Sequence, residues 1–334
     1  MSWEKLRVVG SLLVALTALA CGEDVKSNGQ PPADAGHTDT GGSTGDGAPD
    51  APPPGDTRPC EGSTLTTGSG MLMHGGLQYN YLVHVPPSYD GTKRTPLVLN
   101  WHGRNSIPME QQLFTQTDPL SDEEGFIVVY PGSPDKSWNG GTCCPPSGDA
   151  GLPEHDDVGF ARALVTEISG KACIDSKRVY SMGMSNGGFM SHRLACEAAD
   201  MFAAVESVAG QMGIPNCQPS RPISVLHHHG TGDMSIPYGV SMFSAEGLGV
   251  ADMMARWGTR NGCTKGPDTT FQMGTVTCQT WSQCSAGVLV TLCSAEGAEH
   301  CWPGASFCPG GKPYATEISA SRDGWAFLKQ FVLP

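Results

Sequence analysis

The chain has 334 residues, with 33 acidic against 20 basic side chains and a formal net charge of −13. No Lys/Arg-rich stripe or helix interrupts that balance, which excludes a nucleic-acid backbone as partner. The length would allow two average domains, but single α/β domains of about 250 residues are routine, and a long polar stretch near the N-terminus leaves room for one.

The sequence opens MSWEKLRVVGSLLVALTALAC, with Lys5 and Arg7 before an apolar run from Val8 to Ala20. This is the pattern of a secretory signal, and the run is short for a bilayer span. The closing Ala-Leu-Ala-Cys resembles a bacterial lipobox, so residues 1–20 are expected to be removed and Cys21 to carry a lipid; plain secretion is the alternative. Residues 21–59 are Gly, Pro, Asp, Ser, Thr and Ala with almost no large apolar side chain. Such a stretch cannot bury enough surface to offset its ordering entropy, and a disordered tether is expected there. The folded domain is expected over 60–334.

Thirteen cysteines fit an oxidising compartment outside the cytosol. Setting Cys21 aside leaves an even dozen, which suits a disulfide framework. No paired CxxC sets occur, and adjacent Cys143 and Cys144 are poorly placed to aim both thiolates at one ion, so no metal site is expected.

In chain order, QYNYLVHVP and PLVLNW read as strands, the second ending at His102-Gly103, and GFIVVYP as another short buried strand. DDVGFARALVTEIS spaces Val158, Phe160, Ala163, Leu164 and Ile168 as a helical stripe behind two candidate caps, Asp156 and Asp157. RVYSMGM is a strand, NGGFMSHRLACEAA a helix, and FAAVESVAG and PISVLHHHG are strands. GVADMMARWGTRNG and SRDGWAFLKQFV read as helices, with strands at TVTCQTW and GVLVTLC between them. Alternation of this kind predicts an α/β fold with a mostly parallel central sheet covered by helices on both faces.

Gly183-Met184-Ser185-Asn186-Gly187 stands where a strand turns into a helix. A serine at the tip of that turn, with no Cβ on the flanking glycines, is the arrangement of a nucleophile elbow, and the helix N-terminus behind it favours developing negative charge. A serine needs a base and an acid to orient that base, in the order Ser, acid, His for this topology. Asp233 follows the strand PISVLHHH, and His300 follows GVLVTLC, each in a loop after a strand's C-terminal end. The run His227-His228-His229 suggests a metal cluster at first sight, but alternate side chains of a strand point to opposite faces, so the three cannot converge. Two backbone N–H groups are needed for an oxyanion: Asn186 follows the nucleophile, and Arg104, or Gly103, lies in the loop after PLVLNW.

The blocks GMSNGGFMSHRLACE, HGTGDMSIPY, SWNGGTCC, DDVGFARAL and EHCWPG resemble secreted esterases of the polyhydroxybutyrate-depolymerase type and the related feruloyl and acetylxylan esterases of carbohydrate esterase family one. The resemblance covers the chain from about Cys60 onward. It implies an α/β-hydrolase fold, Ser185 as nucleophile, Asp233 as acid and His300 as base, with no cofactor. It also suggests a Cys263–Cys284 disulfide. The family's oxyanion loop usually reads His-Gly-Cys, whereas Arg104 holds the third place here. Its histidine is often followed by Thr, whereas here Cys301 follows and is available to Cys308; Cys278 and Cys293 sit on expected neighbouring strands. Trp138 and Trp302 match blocks near the family's active site and are candidate walls for an acyl or aryl group, with ordinary packing as the alternative.

The sequence therefore points to a secreted, lipid-anchored serine esterase acting on hydroxyalkanoate oligomers or related short-chain esters. Feruloyl or acetyl esters of plant cell-wall polysaccharide are the alternative substrate. A surface-tethered binding module without turnover is the alternative from a different class, and peptide hydrolysis is disfavoured by the resemblance to esterases.

Overall fold

The structure, a computed structural model, describes residues 60, 63–144, 155–308 and 314–334. The expected signal peptide, Cys21 and the tether at 21–59 lie outside these residues.

Ten strands form one sheet in the order β1-β2-β4-β3-β5-β6-β7-β10-β9-β8. They are β1 Gly68–His74, β2 Leu77–His84, β3 Thr95–Trp101, β4 Ile127–Gly132, β5 Ile174–Met184, β6 Ala204–Val208, β7 Ser224–Gly230, β8 Lys265–Met273, β9 Val276–Ser282 and β10 Val290–Ala295. The helices are α1 Pro108–Thr115, α2 Thr117–Glu124, α3 Asp157–Lys171, α4 Asn186–Glu197, α5 Val250–Arg260 and α6 Ala320–Leu328.

The sheet is parallel only through its middle, from β4 across β3, β5, β6 and β7 to β10. Antiparallel pairs close both flanks, β1 with β2 and β2 with β4 on one side, β10 with β9 and β9 with β8 on the other. The expected mostly parallel central sheet is present, and antiparallel strands extend it at both edges. The central strands read as unbroken apolar runs because helices cover both faces; every residue of β3 is buried.

The period-two pleat divides those runs between two core layers. Leu97, Leu99 and Trp101 of β3 join Phe160, Leu164, Leu194 and Trp257 from α3, α4 and α5. Val98 joins Val128, Tyr180 and Met182, with Leu120, Trp325 and Leu328 from α2 and α6 on the opposite side. Asp156 caps α3, accepting the Gly159 N–H at 2.9 Å. Asp157 instead lies inside the helix's first turn, buried, where it accepts hydrogen bonds from the Tyr79 hydroxyl at 2.9 Å and the Asn139 N–H at 2.6 Å.

All twelve cysteines from Cys60 onward are paired, as Cys60–Cys173, Cys143–Cys144, Cys196–Cys217, Cys263–Cys284, Cys278–Cys293 and Cys301–Cys308. Cys278 and Cys293 stand directly opposite each other in the β9–β10 register. The adjacent Cys143 and Cys144 are joined to one another.

Candidate active site

β5 runs into α4 through Ser185, which adopts φ 55°, ψ −122°. A positive φ is costly for a residue with a Cβ and persists only where the surroundings over-determine it. Here the Ser185 N–H is held by the Val208 carbonyl at 2.8 Å and the Ser185 carbonyl accepts the Phe189 N–H at 3.0 Å. A Cβ on Gly187 would collide with the Trp101 carbonyl of β3, and one on Gly183 with the Gly187 carbonyl. Gly183 and Gly187 flank the serine because strand, turn and helix backbones touch there.

β3, β5, β7 and β10 run in the same direction, so the loops after Trp101, Met184, Gly230 and Ala295 leave the same end of the sheet. Those loops carry Arg104, Ser185, Asp233 and His300. Gly103 sits against Ser185: a Cβ there would lie 3.4 Å from Ser185 Cβ and 4.0 Å from its Oγ. The β7 and β10 loops are laced together by Gly232 N–H to Ala298 O at 3.0 Å and Gly297 N–H to Thr231 Oγ1 at 2.9 Å.

That lacing brings His300 Nδ1 to 2.7 Å from Asp233 Oδ2. The Asp233 side chain is fully buried while that of His300 is 16% exposed, leaving the ring's other edge accessible. Oδ1 of Asp233 accepts the Ser235 and Ile236 N–H groups, each at 2.8 Å. Burial pushes the Asp233 carboxyl up, but the His300 hydrogen bond, the nearby His300 and His229 rings and the Ile236 N–H outweigh it, and the net shift is downward. With Nδ1–H donated to the carboxylate, His300 presents a lone pair at Nε2. Among the described residues Ser185 Oγ makes no hydrogen bond; a serine–imidazole contact commonly tightens only with substrate in place.

The oxyanion candidates differ in setting. Asn186 opens α4, so its N–H belongs to the helix's unpaired first turn. Arg104 is exposed, and its N–H has no acceptor among the described residues. The preceding carbonyl, Gly103 O, is fixed by His102 Nδ1–H at 2.7 Å and by the Ser106 N–H at 3.2 Å. Fixing one end of a planar trans peptide fixes the Arg104 N–H at the other. His102 is buried, which lowers it to about 4 and keeps it neutral, and its Nε2 accepts the Ser133 N–H at 3.4 Å.

Trp138 and Trp302 are not walls of an open pocket. Trp138 is wholly buried, edge-on to Trp101 at 4.9 Å and stacked toward Phe160, with its Nε1–H on the His102 carbonyl at 3.1 Å. Trp302 is buried in the α6-side core and donates to Ser321 Oγ at 3.1 Å. Both are corrected to packing residues, because a large indole beside a catalytic loop is used here to hold that loop down. Asn186, expected to act through its backbone, also uses its side chain: Oδ1 accepts Trp138 N–H at 2.7 Å and Nδ2 donates to Trp138 O at 2.9 Å.

His102, the Asn186 amide and Asp157 were not singled out as a scaffold by the sequence, since a lone polar residue has no periodicity. The His227–His229 alternation did carry a usable signal. His228 turns toward Glu206, with Nε2 3.3 Å from Oε1, while His227 and His229 share the opposite face.

Residues 79–237 match the family model described as esterase PHB depolymerase, a span that holds Ser185 and Asp233. The chain is 30% identical over 268 residues to feruloyl esterase B of Piromyces equi, covering 76% of this chain and 45% of that protein. It is 26% identical over 258 residues to the bifunctional acetylxylan esterase/xylanase XynS20E of Neocallimastix patriciarum, covering 75% of this chain and 33% of the relative. The chain thus spans less than half the length of these two relatives. Among solved structures, the acetyl xylan esterase from Aspergillus awamori superposes with a TM-score of 0.56 at 15% identity, over 78% of this chain and 99% of that one, a likeness of fold. The sheet is of the α/β-hydrolase type, and over residues 79–237 the chain resembles the esterase PHB depolymerase family.

Proposed function

We propose that this protein is a serine ester hydrolase in which Ser185 is the nucleophile, His300 the general base and Asp233 the acid that orients it. The observation that carries the reading is the 2.7 Å contact between His300 Nδ1 and the buried Asp233 carboxylate, on the sheet end where Ser185 stands in its positive-φ turn. Ser185 Oγ attacks the ester carbonyl carbon while its proton passes to His300 Nε2. The Asn186 and Arg104 N–H groups stabilise the oxyanion of the tetrahedral intermediate. Collapse breaks the ester C–O bond, and His300 returns the proton to the leaving alcohol. Water, deprotonated by His300, then releases the acid from the acyl-enzyme and restores Ser185. No step calls for a cofactor.

The substrate we favour is a hydroxyalkanoate oligomer or related short-chain ester, in keeping with the matched family. The second reading, feruloyl or acetyl esters of cell-wall polysaccharide, is favoured by the names of the two relatives above. Six disulfides support an oxidising, extracytosolic location, and the N-terminal pattern supports secretion with a lipid on Cys21.

The test compares wild type with Ser185→Ala on p-nitrophenyl butyrate, a 3-hydroxybutyrate oligomer and methyl ferulate. Hydrolysis of at least one by wild type and none by the folded variant is expected, and the preferred substrate chooses between the two readings. A folded wild type inert on all three would move the non-catalytic binding module to the front.

A further inference from the structure

The hydrolytic steps above leave the run His227-His228-His229 without a task. The β7 pleat sends His227 and His229 toward α4, where they line up with His192. His192 Nε2 lies 3.1 Å from His227 Nδ1, and His227 Nε2 lies 3.0 Å from His229 Nδ1. His229 Nε2 lies 2.8 Å from the Ile236 carbonyl oxygen and 3.5 Å from Asp233 Oδ2. All three rings are buried, and successive planes are inclined by only 26° and 22°.

The direction of this chain follows from its ends. A carbonyl oxygen only accepts, so His229 Nε2 carries the hydrogen, and a neutral imidazole has one N–H. His229 Nδ1 therefore accepts from His227 Nε2–H, and His227 Nδ1 from His192 Nε2–H. His192 Nδ1 is left as a buried lone pair with no partner among the described residues, which marks the far end. Burial keeps the rings neutral, lowering His192 to about 3, His229 to about 4 and His227 well below its ordinary value. Three N–H dipoles consequently point the same way, toward the 233–236 turn.

We propose that His229 is a positioning residue for the acid Asp233, locked in one tautomer by His227 and His192 behind it. The inference rests on the Ser185-His300-Asp233 reading. Asp233 Oδ1 is held by the Ser235 and Ile236 N–H groups, and Oδ2 faces His300. His229 grips the same turn by donating Nε2–H to the Ile236 carbonyl and by the approach of Nε2 to Asp233 Oδ2. Without that donor the carboxylate is freer to shift and more basic toward His300. The groups facing the chain are Asp233 and His300 at one end, the Tyr238 ring edge-on at 5.7 Å from His229, and Arg260 with Trp257 of α5 at the His192 end. His228 points to the other side of the sheet, toward Glu206.

The experiment uses the full chain and p-nitrophenyl butyrate, measuring kcat, KM, melting temperature and the pH profile of kcat/KM. In His229→Leu, kcat is expected to fall about tenfold with KM within roughly twofold. The acidic limb, which reports His300 protonation, should move up by about half a pH unit, because a more basic Asp233 holds the His300 proton longer. His229→Gln, whose amide keeps a donor near the Nε2 position, should recover most of kcat. His192→Phe should move the limb the same way by less. His228→Phe, equally buried but off the chain, should lower the melting temperature and leave the limb in place.

A His229→Leu limb that stays put while only the melting temperature falls overturns the proposal, and an unmoved limb in His192→Phe does so if His229→Leu cannot fold. Asp233→Asn separates the two levels. If it retains wild-type kcat the triad reading itself fails; if it is inert while the histidine variants leave the limb unmoved, only the positioning role fails.

Discussion

Trp138 and Asn186 hold each other by two hydrogen bonds, backbone N–H to Oδ1 at 2.7 Å and Nδ2 to backbone carbonyl at 2.9 Å. The side-chain amide next to Ser185 is thereby a clamp on the 133–144 loop. Asn186→Ala would leave the buried Trp138 N–H unpaired, costing about 1–3 kcal/mol, and leave the Trp138 carbonyl with the Gly140 N–H at 2.8 Å as its remaining donor. The melting temperature should drop, and kcat should fall by roughly 10- to 100-fold as the elbow loses its brace. Asn186→Asp keeps the N–H acceptor but sets a carboxylate oxygen against the Trp138 carbonyl and a negative charge beside the developing oxyanion. It should lower kcat further than Ala does. Equal kcat for Ala and wild type would show that the clamp does not govern the site.

The disulfides allow a stability role to be separated from a catalytic one. Cys60–Cys173 closes a separation of 113 residues, and Cys301–Cys308 one of 7 beginning directly after His300. Chain-entropy arguments give about 5 kcal/mol for the long loop and about 2 kcal/mol for the short one. Replacing the long pair by serines should therefore lower the melting temperature more while sparing kcat. Replacing the short pair should cost less stability but several-fold in kcat, since it frees the loop carrying His300, the proposed base. Thermal melts and kcat on the same two variants decide it, and the reverse pattern would contradict the assignment.

Much of this was legible from residues alone because the relevant signals are periodic. The apolar runs at 96–101 and 127–131 became buried parallel strands, and the cap Asp156 began α3 where its Gly159 partner requires. Asp233 and His300 were reachable because strand ends locate the loops that follow them. What escaped lacks a period. β8 is exposed along its whole length and carries Pro267, so no buried face marks it, and β1 alternates only weakly around Met71 and Met73. Trp138 looked like a substrate wall because a tryptophan in a loop carries no local sign of which way its ring turns; burial under Trp101 and Phe160 settled that.

Buried neutral histidines make the fold sensitive to acid. His102 and His229 are lowered to about 4, His192 to about 3 and His227 well below its ordinary value, in each case chiefly by burial. The unfolded chain protonates these rings near the ordinary value of about 6.5, whereas the folded chain does not. Their stabilisation is thus fully present above that value and is lost as pH falls toward the folded values. Each group contributes a slope of about 1.4 kcal/mol per pH unit inside its window. Unfolding free energy measured between about pH 6 and 4.5 should fall with an uptake of at least two protons, Glu206 and Asp157 opposing part of the effect through their raised values. His192→Phe should remove close to one proton from that slope. An uptake below one proton in the wild type would mean the rings are not held neutral.

Glu206 gives the opposite sign and an independent check. It is wholly buried in β6, neither carboxylate oxygen has a hydrogen-bond partner among the described residues, His228 Nε2 lies 3.3 Å from Oε1, and Gly324 of α6 is pressed against it with no room for a side chain. Burial raises its carboxyl, His228 offsets part of the rise, and Asp323 adds to it. An acid raised in the folded state stabilises below its unfolded value of about 4.3 and loses that contribution as pH climbs through the folded value. Above that point the fold carries a poorly solvated charge, which a neutral amide of the same shape avoids. Glu206→Gln should therefore melt higher than wild type at pH 8, by an amount on the order of 1–3 kcal/mol, with the gap closing toward pH 4. A variant less stable than wild type at pH 8 would mean that Glu206 is held as a carboxylate against a protonated His228, and that the pair contributes to stability as an ion pair.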